Sequence, residues 1–337
     1  MFNWRRLAVL PLAVLLVANL DSSGHKANAA DCGDISIASM NWASAEMIAH
    51  IDLLILSVGF GCNATLASGD VMPDFSPEGE APTVDLYPEI WVNAIQEPLD
   101  RAVADGDLFF GAKVLSDGGY EGWWIPKYLS DEHPQIRSVE DALTYPELFE
   151  LPDDEGISGV HNCPAGWPCQ VASANLFRAF GAQERGFTLV DTGSAAGLDA
   201  SIARAYKDKA GWLGYYWSPT PLLGRYEMVP LDMGEHQSSH WQSCTSVPEC
   251  AEPQINSWPA NDVYTLYTRD FSTNAGAAID YVSKRQWSNE VVNSLLVWMA
   301  DNQATGQEVA YHFLENYKNV WRDWVSPATA FKIHAAL

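Results

Sequence analysis

Basic residues are scarce in this chain: 19 Lys and Arg stand against 43 Asp and Glu, a formal net charge of −24 over 337 residues. So acidic a chain lacks the electrostatic footprint of a nucleic-acid binder or of a protein that docks on anionic membranes. Catalytic signatures are missing as well. There is no G-x-S-x-G elbow, no H-E-x-x-H and no P-loop. Gly193-Ser194-Ala195-Ala196-Gly197 comes nearest to the elbow but lacks its central serine. Cysteine is limited to 6 residues with no C-x-x-C pair, which removes the usual support for a structural zinc site. Beyond Leu20 no stretch approaches ~20 uninterrupted apolar residues, the length of a bilayer span.

The N-terminus has the composition of an export signal. Arg5 and Arg6 precede an almost wholly apolar run from Leu7 to Leu20, and Ala27-Asn28-Ala29 is a small-x-small cleavage site. The expectation is a signal peptide over residues 1–30, cleaved near Ala29 or Ala30, and a periplasmic, soluble protein. Cys32 invites a lipoprotein reading, but Asp31 stands where a lipobox needs a small residue. In an oxidising compartment an even number of cysteines implies disulfides. Proximity pairs Cys163 with Cys169 and Cys244 with Cys250, which leaves Cys32 with Cys62. His236, His240 and Cys244 recur at four-residue spacing, a metal-binding pattern on a helix, but their Gln-, Ser- and Pro-rich surroundings suit a loop. Asp153-Asp154-Glu155 is expected in a loop facing solvent, or at best holding calcium. No metal and no cofactor is expected.

Strand and helix patterns alternate. Asp34–Met40 alternates as a strand, and Ala43–Leu56 has helical spacing, with Ala45, Ile48, Ala49, Leu53 and Leu56 on one face. Leu66–Asp70 and Val84–Tyr87 follow as strands, separated by a Pro-, Gly- and Glu-rich loop over 73–82. Ser116–Gly122 is glycine-rich and suits a hinge or tight crossover. Trp123–Leu129 is strand-like, Ser138–Leu143, Gln170–Phe180 and Leu198–Lys209 are helical, and Gly214–Trp217 and Asp262–Tyr267 are strands. From Ala275 to Val325 the pattern is helical, and Trp287, Trp298, Trp321 and Trp324 belong to the core. Alternation at this spacing implies βαβ units and parallel sheets, whose ligands lie beyond the carboxyl ends of strands.

One nine-residue stretch stands out, His161-Asn162-Cys163-Pro164-Ala165-Gly166-Trp167-Pro168-Cys169. It is a small stapled loop presenting a single indole, and the crosslink is worth roughly 2 kcal/mol by loop-entropy arguments. Alone it also reads as a surface turn whose tryptophan covers the core. Trp42, Trp91 and Trp217, however, each fall at a predicted strand end, so four indoles converge on one pocket. A trimethylammonium group has no N–H to donate, and cation–π contact with indole faces, ~0.5–2 kcal/mol each, is what can hold it. Several such faces reach ~−8 kcal/mol, micromolar affinity. A sugar-binding cleft would add several Asp, Asn and Arg side chains, and few lie near these tryptophans.

These residues resemble the glycine betaine/choline family of ABC-transporter substrate-binding proteins over essentially the whole mature length. The resemblance rests on Asn41-Trp42-Ala43, Leu66-Ala67-Ser68-Gly69-Asp70, Pro88-Glu89-Ile90-Trp91, Cys163–Cys169 with Trp167 between them, and Tyr215-Tyr216-Trp217-Ser218-Pro219. It implies an α/β, two-lobed, type II periplasmic-binding-protein fold, each lobe a mainly parallel sheet flanked by helices, with a hinge between. In this chain that division is 31–115 plus 262–337 for one lobe and 116–261 for the other. It implies Trp91, Trp167 and Trp217 as cage members, Trp42 as the fourth wall, a monomer, a methylated amine as ligand and an inner-membrane permease as partner. It implies no catalysis.

Glu121 is the one carboxylate beside the predicted cleft, or else a solvated hinge residue. It would repel the acid end of glycine betaine, and it suits choline or trimethylamine N-oxide. Four Trp with this Glu look similar to the trimethylamine N-oxide-binding branch. Against that, the helix starting near Gln170 would aim backbone N–H groups at an anionic end group, and His161 and Asn162 would add donors. Trimethylamine N-oxide is the favoured ligand, glycine betaine and choline the alternatives. A secreted enzyme acting on quaternary amines is the rival from another class.

Overall fold

A computed structural model describes residues 32–68, 84–152 and 154–337. The expected signal segment, Gly69-Asp70, the loop 73–82 and Asp153 lie outside the described residues. The chain opens with β1 (Asp34–Ser39), β2 (Asn63–Ser68), β3 (Leu86–Trp91) and β4 (Leu108–Lys113). Then come β5 (Tyr120–Pro126), β6 (Glu150–Leu151), β7 (Asp154–His161), β8 (Phe187–Val190), β9 (Gly214–Ser218), β10 (Met228–Pro230) and β11 (Val263–Thr268). They form two sheets: β2-β1-β3-β11-β4, and β10-β5-β9-β7-β6 with β8 alongside β7.

The two-lobed α/β class holds, and each sheet is mixed. β1 runs parallel to β2 and β3, whereas β11 is antiparallel to β3 and β4. β7 is parallel to β8 and β9, and β5 is antiparallel to β9 and β10. The expectation of mainly parallel sheets is corrected by β5 and β11. The chain crosses between sheets just before each of them, and each enters its sheet against its neighbour. At the crossing, Gly119 and Asn261 pair through both backbone N–H groups, at 2.8 and 3.3 Å. Within the glycine-rich segment only 116–119 makes the crossing, and residues 120–122 are already strand.

Other local departures have local causes. β3 continues through Pro88, which has no N–H for a ladder, because the register with β11 shifts between Tyr264 and Leu266. β5 stops at Pro126, and Lys127–Glu132 turns into a helix rather than continuing the strand. The helical region 275–325 is broken at residues whose side chains cap new helices, Ser288 for Asn289–Asp301 and Thr305 for Gly306–Asn316. Thr305 and Glu308 form a reciprocal capping box. The helix Cys169–Ala179 and the helix Ala195–Asp208 lie where helical spacing places them. Asp154 begins a strand rather than lying in a loop.

Each sheet has its own core. One face of the first sheet packs on the helix Ala43–Leu54 and the C-terminal helices through Ile48, Ile51, Leu295, Phe313 and Trp321. Trp287 and Trp324 lie in the same core, and Trp298 packs against its edge. The second sheet packs on Trp123, Leu176, Ile202 and Trp212. Buried in the first core is an ion pair, Arg285 Nε 2.9 Å from Asp52 Oδ1, with both side chains fully buried. Arg285 also donates to the Pro88 carbonyl (3.2 Å) and to Thr265 Oγ1 (2.6 Å), so it supports the irregular stretch of β3. Tyr281 donates to Asp52 at 2.5 Å.

Removing one partner strands the other charge in a dry core. Asp52→Ala is expected to destabilise the protein by about 3–5 kcal/mol in urea denaturation.

Candidate functional site

The four tryptophans singled out from sequence meet in one cavity. Trp42 follows β1 and precedes the helix Ala43–Leu54, and Trp91 is the last residue of β3. Trp167 stands in the loop closed by the Cys163–Cys169 disulfide, one turn before the helix Cys169–Ala179. Trp217 lies on β9 directly opposite Glu121 on β5. Together with Glu121, Pro168, Cys169 and Tyr215 they line a space of about 500 Å³, open mouth included. Trp167 meets Trp42 at 5.2 Å between ring centroids and 69° between planes, and meets Trp217 at 5.2 Å and 73°. Three indoles thus stand nearly edge to face, as adjoining walls of a box do. Trp91 lies across the backbone of Gly119: a Cβ there would sit 2.1 Å from its ring. Only glycine lets the crossing strand run under that wall.

Three of the walls have their N–H groups committed to protein acceptors. Trp42 Nε1 donates to Glu89 Oε1 at 2.8 Å and Trp91 Nε1 to the same oxygen at 2.9 Å. Ser44 Oγ gives it a third bond at 2.9 Å. Trp167 Nε1 donates to Asn41 Oδ1 at 2.9 Å, a bond from one sheet's loop to the other's. An indole has a single donor and no acceptor, so a ring tethered in this way has only its faces and edges for a ligand.

Glu121 is buried, not solvated. Its carboxylate accepts from the Tyr215 hydroxyl at 2.6 Å and from the Asn261 side-chain amide. Burial pushes the Glu121 carboxyl up to about 7, although both hydrogen bonds pull the other way. Burial and the adjacent carboxylate hold the Tyr215 hydroxyl well above its ordinary value. The cavity thus combines aromatic faces with one acid whose proton is exchangeable near neutrality. It can attract a cation, or donate a hydrogen bond to an acceptor.

His161 and Asn162, expected as donors there, are not among the residues that line this cavity. The His161 ring stacks on Trp212 (5.0 Å, 17°) and bonds the Leu213 carbonyl through Nδ1 at 3.1 Å. Burial lowers it to about 4, so it is neutral at pH 7. Asn162 Oδ1 accepts from the Cys163 N–H at 2.9 Å. These bonds fix the His161 ring at the strand end and hold the Asn162 side-chain oxygen in the stapled loop. The three disulfides are Cys32–Cys62, Cys163–Cys169 and Cys244–Cys250. His236 and His240 bond backbone groups at Ser257 and Gln254.

Sequence reasoning missed Tyr215, Asn261, Asn41 and Glu89. Two of them carried a signal. On a strand, residues two apart share a face: Tyr215 precedes Trp217 by two, and Glu89 precedes Trp91 by two. Asn261 and Asn41 act across sheet boundaries, and nothing local marks them.

Comparison with known proteins bears on the family and the fold. The family described as the substrate-binding domain of the ABC-type glycine betaine transport system matches residues 33–316. No curated protein matches the chain by sequence. Among solved structures, the glycine betaine/L-proline ABC transporter binding protein ProX of Borrelia burgdorferi superposes with a TM-score of 0.68 at 18% identity. That match covers 89% of this chain and 99% of that one. An ABC-transporter choline-binding protein in complex with choline gives 0.68 at 14% identity, over 90% and 98%. Lactococcal OpuAC, closed on glycine betaine, gives 0.63 at 15% identity, over 87% and 100%. At these identities the structural matches establish the fold.

A carboxyl with a raised folded pKa binds more protons folded than unfolded, so it costs stability as pH rises from the unfolded value through about 7. Glu121→Gln is therefore expected to flatten the decline in stability between pH 5 and 8 by up to about 3 kcal/mol. Urea denaturation of both proteins at the two pH values measures it.

Proposed function

The chain belongs to the family of substrate-binding domains of ABC-type glycine betaine transport systems, and we propose that it captures trimethylamine N-oxide in its tryptophan-walled cavity. Members of this family serve transport rather than catalysis. The observation that carries the reading is the convergence of Trp42, Trp91, Trp167, Trp217 and Glu121 on one space. A trimethylated nitrogen fits the box because its methyls carry the positive charge and meet indole faces without needing an acceptor. The oxide oxygen is a strong acceptor and no carboxylate. It takes a hydrogen bond from Glu121 in its protonated form, the form that burial favours.

The same site supports a second reading, choline, because an ionised Glu121 would attract its permanent cation and accept from its hydroxyl. The choline-binding protein of the same fold was solved in complex with choline. Glycine betaine, the ligand named for the family and for lactococcal OpuAC, requires Glu121 to stay protonated beside the ligand carboxylate. That costs more the higher the pH. In this reading residues 31–115 plus 262–337 and residues 116–261 close as two lobes about the Gly119–Asn261 crossing. The first 30 residues direct export to the periplasm, and the protein works as a monomer that delivers to a permease.

Calorimetric titration with the three ligands tests the assignment; the sign of the pH dependence separates choline from the other two, and Glu121→Gln separates trimethylamine N-oxide from glycine betaine. Trimethylamine N-oxide affinity is expected to hold below about pH 7 and to fall about tenfold between pH 6 and 8 as Glu121 ionises. Choline affinity should move the opposite way. Glu121→Gln should weaken trimethylamine N-oxide and choline and spare glycine betaine; equal losses for all three would remove Glu121 from the specificity argument. No heat and no change in tryptophan fluorescence with any of them would sink the proposal.

The stapled loop has its own test. Reduction of Cys163–Cys169 frees the angle of Trp167, so affinity is expected to drop before the melting temperature does.

A further inference from the structure

Glu89 stands behind the cage, fully buried, and no ligand placed in the cavity would reach past the rings to it. Its Oε1 takes three hydrogen bonds at once, from Trp42 Nε1, Trp91 Nε1 and Ser44 Oγ, at 2.8–2.9 Å. Its Oε2 is buried with no hydrogen-bond partner among the described residues. For a purely structural acceptor this is an odd choice. An amide oxygen would accept the same three bonds, and its NH₂ group would occupy the Oε2 position with no donor opposing it. A carboxylate costs more to bury than an amide, so the charge itself calls for a role. Burial pushes the Glu89 carboxyl above its ordinary range; the bonds from Trp91, Trp42 and Ser44, and after them the charge of Arg285, which bonds the adjacent Pro88 carbonyl, pull the other way, toward the ionised form.

Resting on the proposed function, we infer that Glu89 is a specificity-determining residue that recognises the positive charge of the ligand through Trp42 and Trp91. A hydrogen bond to an anion polarises its donor. Indole N–H groups bonded to a carboxylate shift electron density into their rings and deepen the negative faces that a cation meets. Two of the four walls share this one oxygen, so the charge reaches the ligand twice without any contact. The arrangement also commits both N–H groups to Glu89, so neither of these two walls presents a donor to the trimethylated head.

The test compares choline with 3,3-dimethylbutan-1-ol, which has the same shape with carbon in place of the charged nitrogen. In Glu89→Gln the ratio of the two affinities is expected to fall about fivefold or more, with the neutral isostere bound as in the wild type. An unchanged ratio, whether neither ligand or both are weakened equally, would overturn the inference. Failure of the wild type to bind trimethylamine N-oxide or choline at all would instead overturn the function proposed above. A measurement on the wild type keeps the test independent of how the variant folds. The Nε1–H resonances of Trp42 and Trp91 should lie downfield of ordinary indoles and move further on adding choline, not on adding the isostere. Resonances at ordinary positions, or equal responses to both ligands, would also refute it.

Discussion

An indole can offer its faces to a ligand only if its N–H is satisfied somewhere else, and the rest of the site depends on where that is. In water the N–H bonds solvent; in a closed aromatic cavity an unpaired N–H is a costly orphan and would point at a ligand that cannot accept from it. For three of the four rings the protein solves this on the side away from the cavity. Glu89 takes the N–H groups of Trp42 and Trp91, and Asn41 takes that of Trp167. The box of faces follows from these bonds as much as from the presence of four tryptophans.

That solution moves the difficulty inward. A carboxylate now lies buried at the end of β3, in a strand already disturbed by Pro88. The Arg285 guanidinium beneath it bonds the Pro88 carbonyl and Thr265, and is itself balanced by Asp52. Glu89, Arg285 and Asp52 thus lie buried in one region, Arg285 paired with Asp52 and acting on Glu89 by its charge alone. The tryptophans of the first sheet are therefore linked through Glu89 to its buried charges.

The second sheet is tied to the first by short links at the same place. Glu121 is bonded by the Asn261 side chain, Asn261 pairs through its backbone with Gly119, and Trp91 lies across Gly119. The acid on one side of the cavity, the crossing strands and a wall on the other side are thus joined within a few residues. Trp167 adds a bond to Asn41 from the opposite rim. The cavity lining therefore draws on both sheets, next to the crossing between them.

Much of this was legible in the residues. Periodicity located β1, the helices Cys169–Ala179 and Ala195–Asp208 and the C-terminal helices, because burying one face of an element imposes its spacing on the sequence. That Trp42, Trp91, Trp167 and Trp217 gather in one place was legible because strand ends and a cysteine staple are local features. Pairing cysteines by proximity worked because the two six-residue spacings close short loops. What the residues alone left undecided was everything that depends on partners far along the chain. The mixed strand directions follow from where the chain crosses between sheets. Glu121 is buried, not solvated, because Tyr215 and Asn261 close over it from 94 and 140 residues away. His161, promising as a donor beside the stapled loop, bonds the Leu213 carbonyl, and the Asn162 side-chain oxygen accepts from Cys163. Glu89 sat in plain view two residues before Trp91, but only the fold brings Trp42 and Ser44 to the same oxygen. Residue types and spacings determine which groups are available for recognition; burial and hydrogen bonding across the chain decide which of them face the ligand and with what charge.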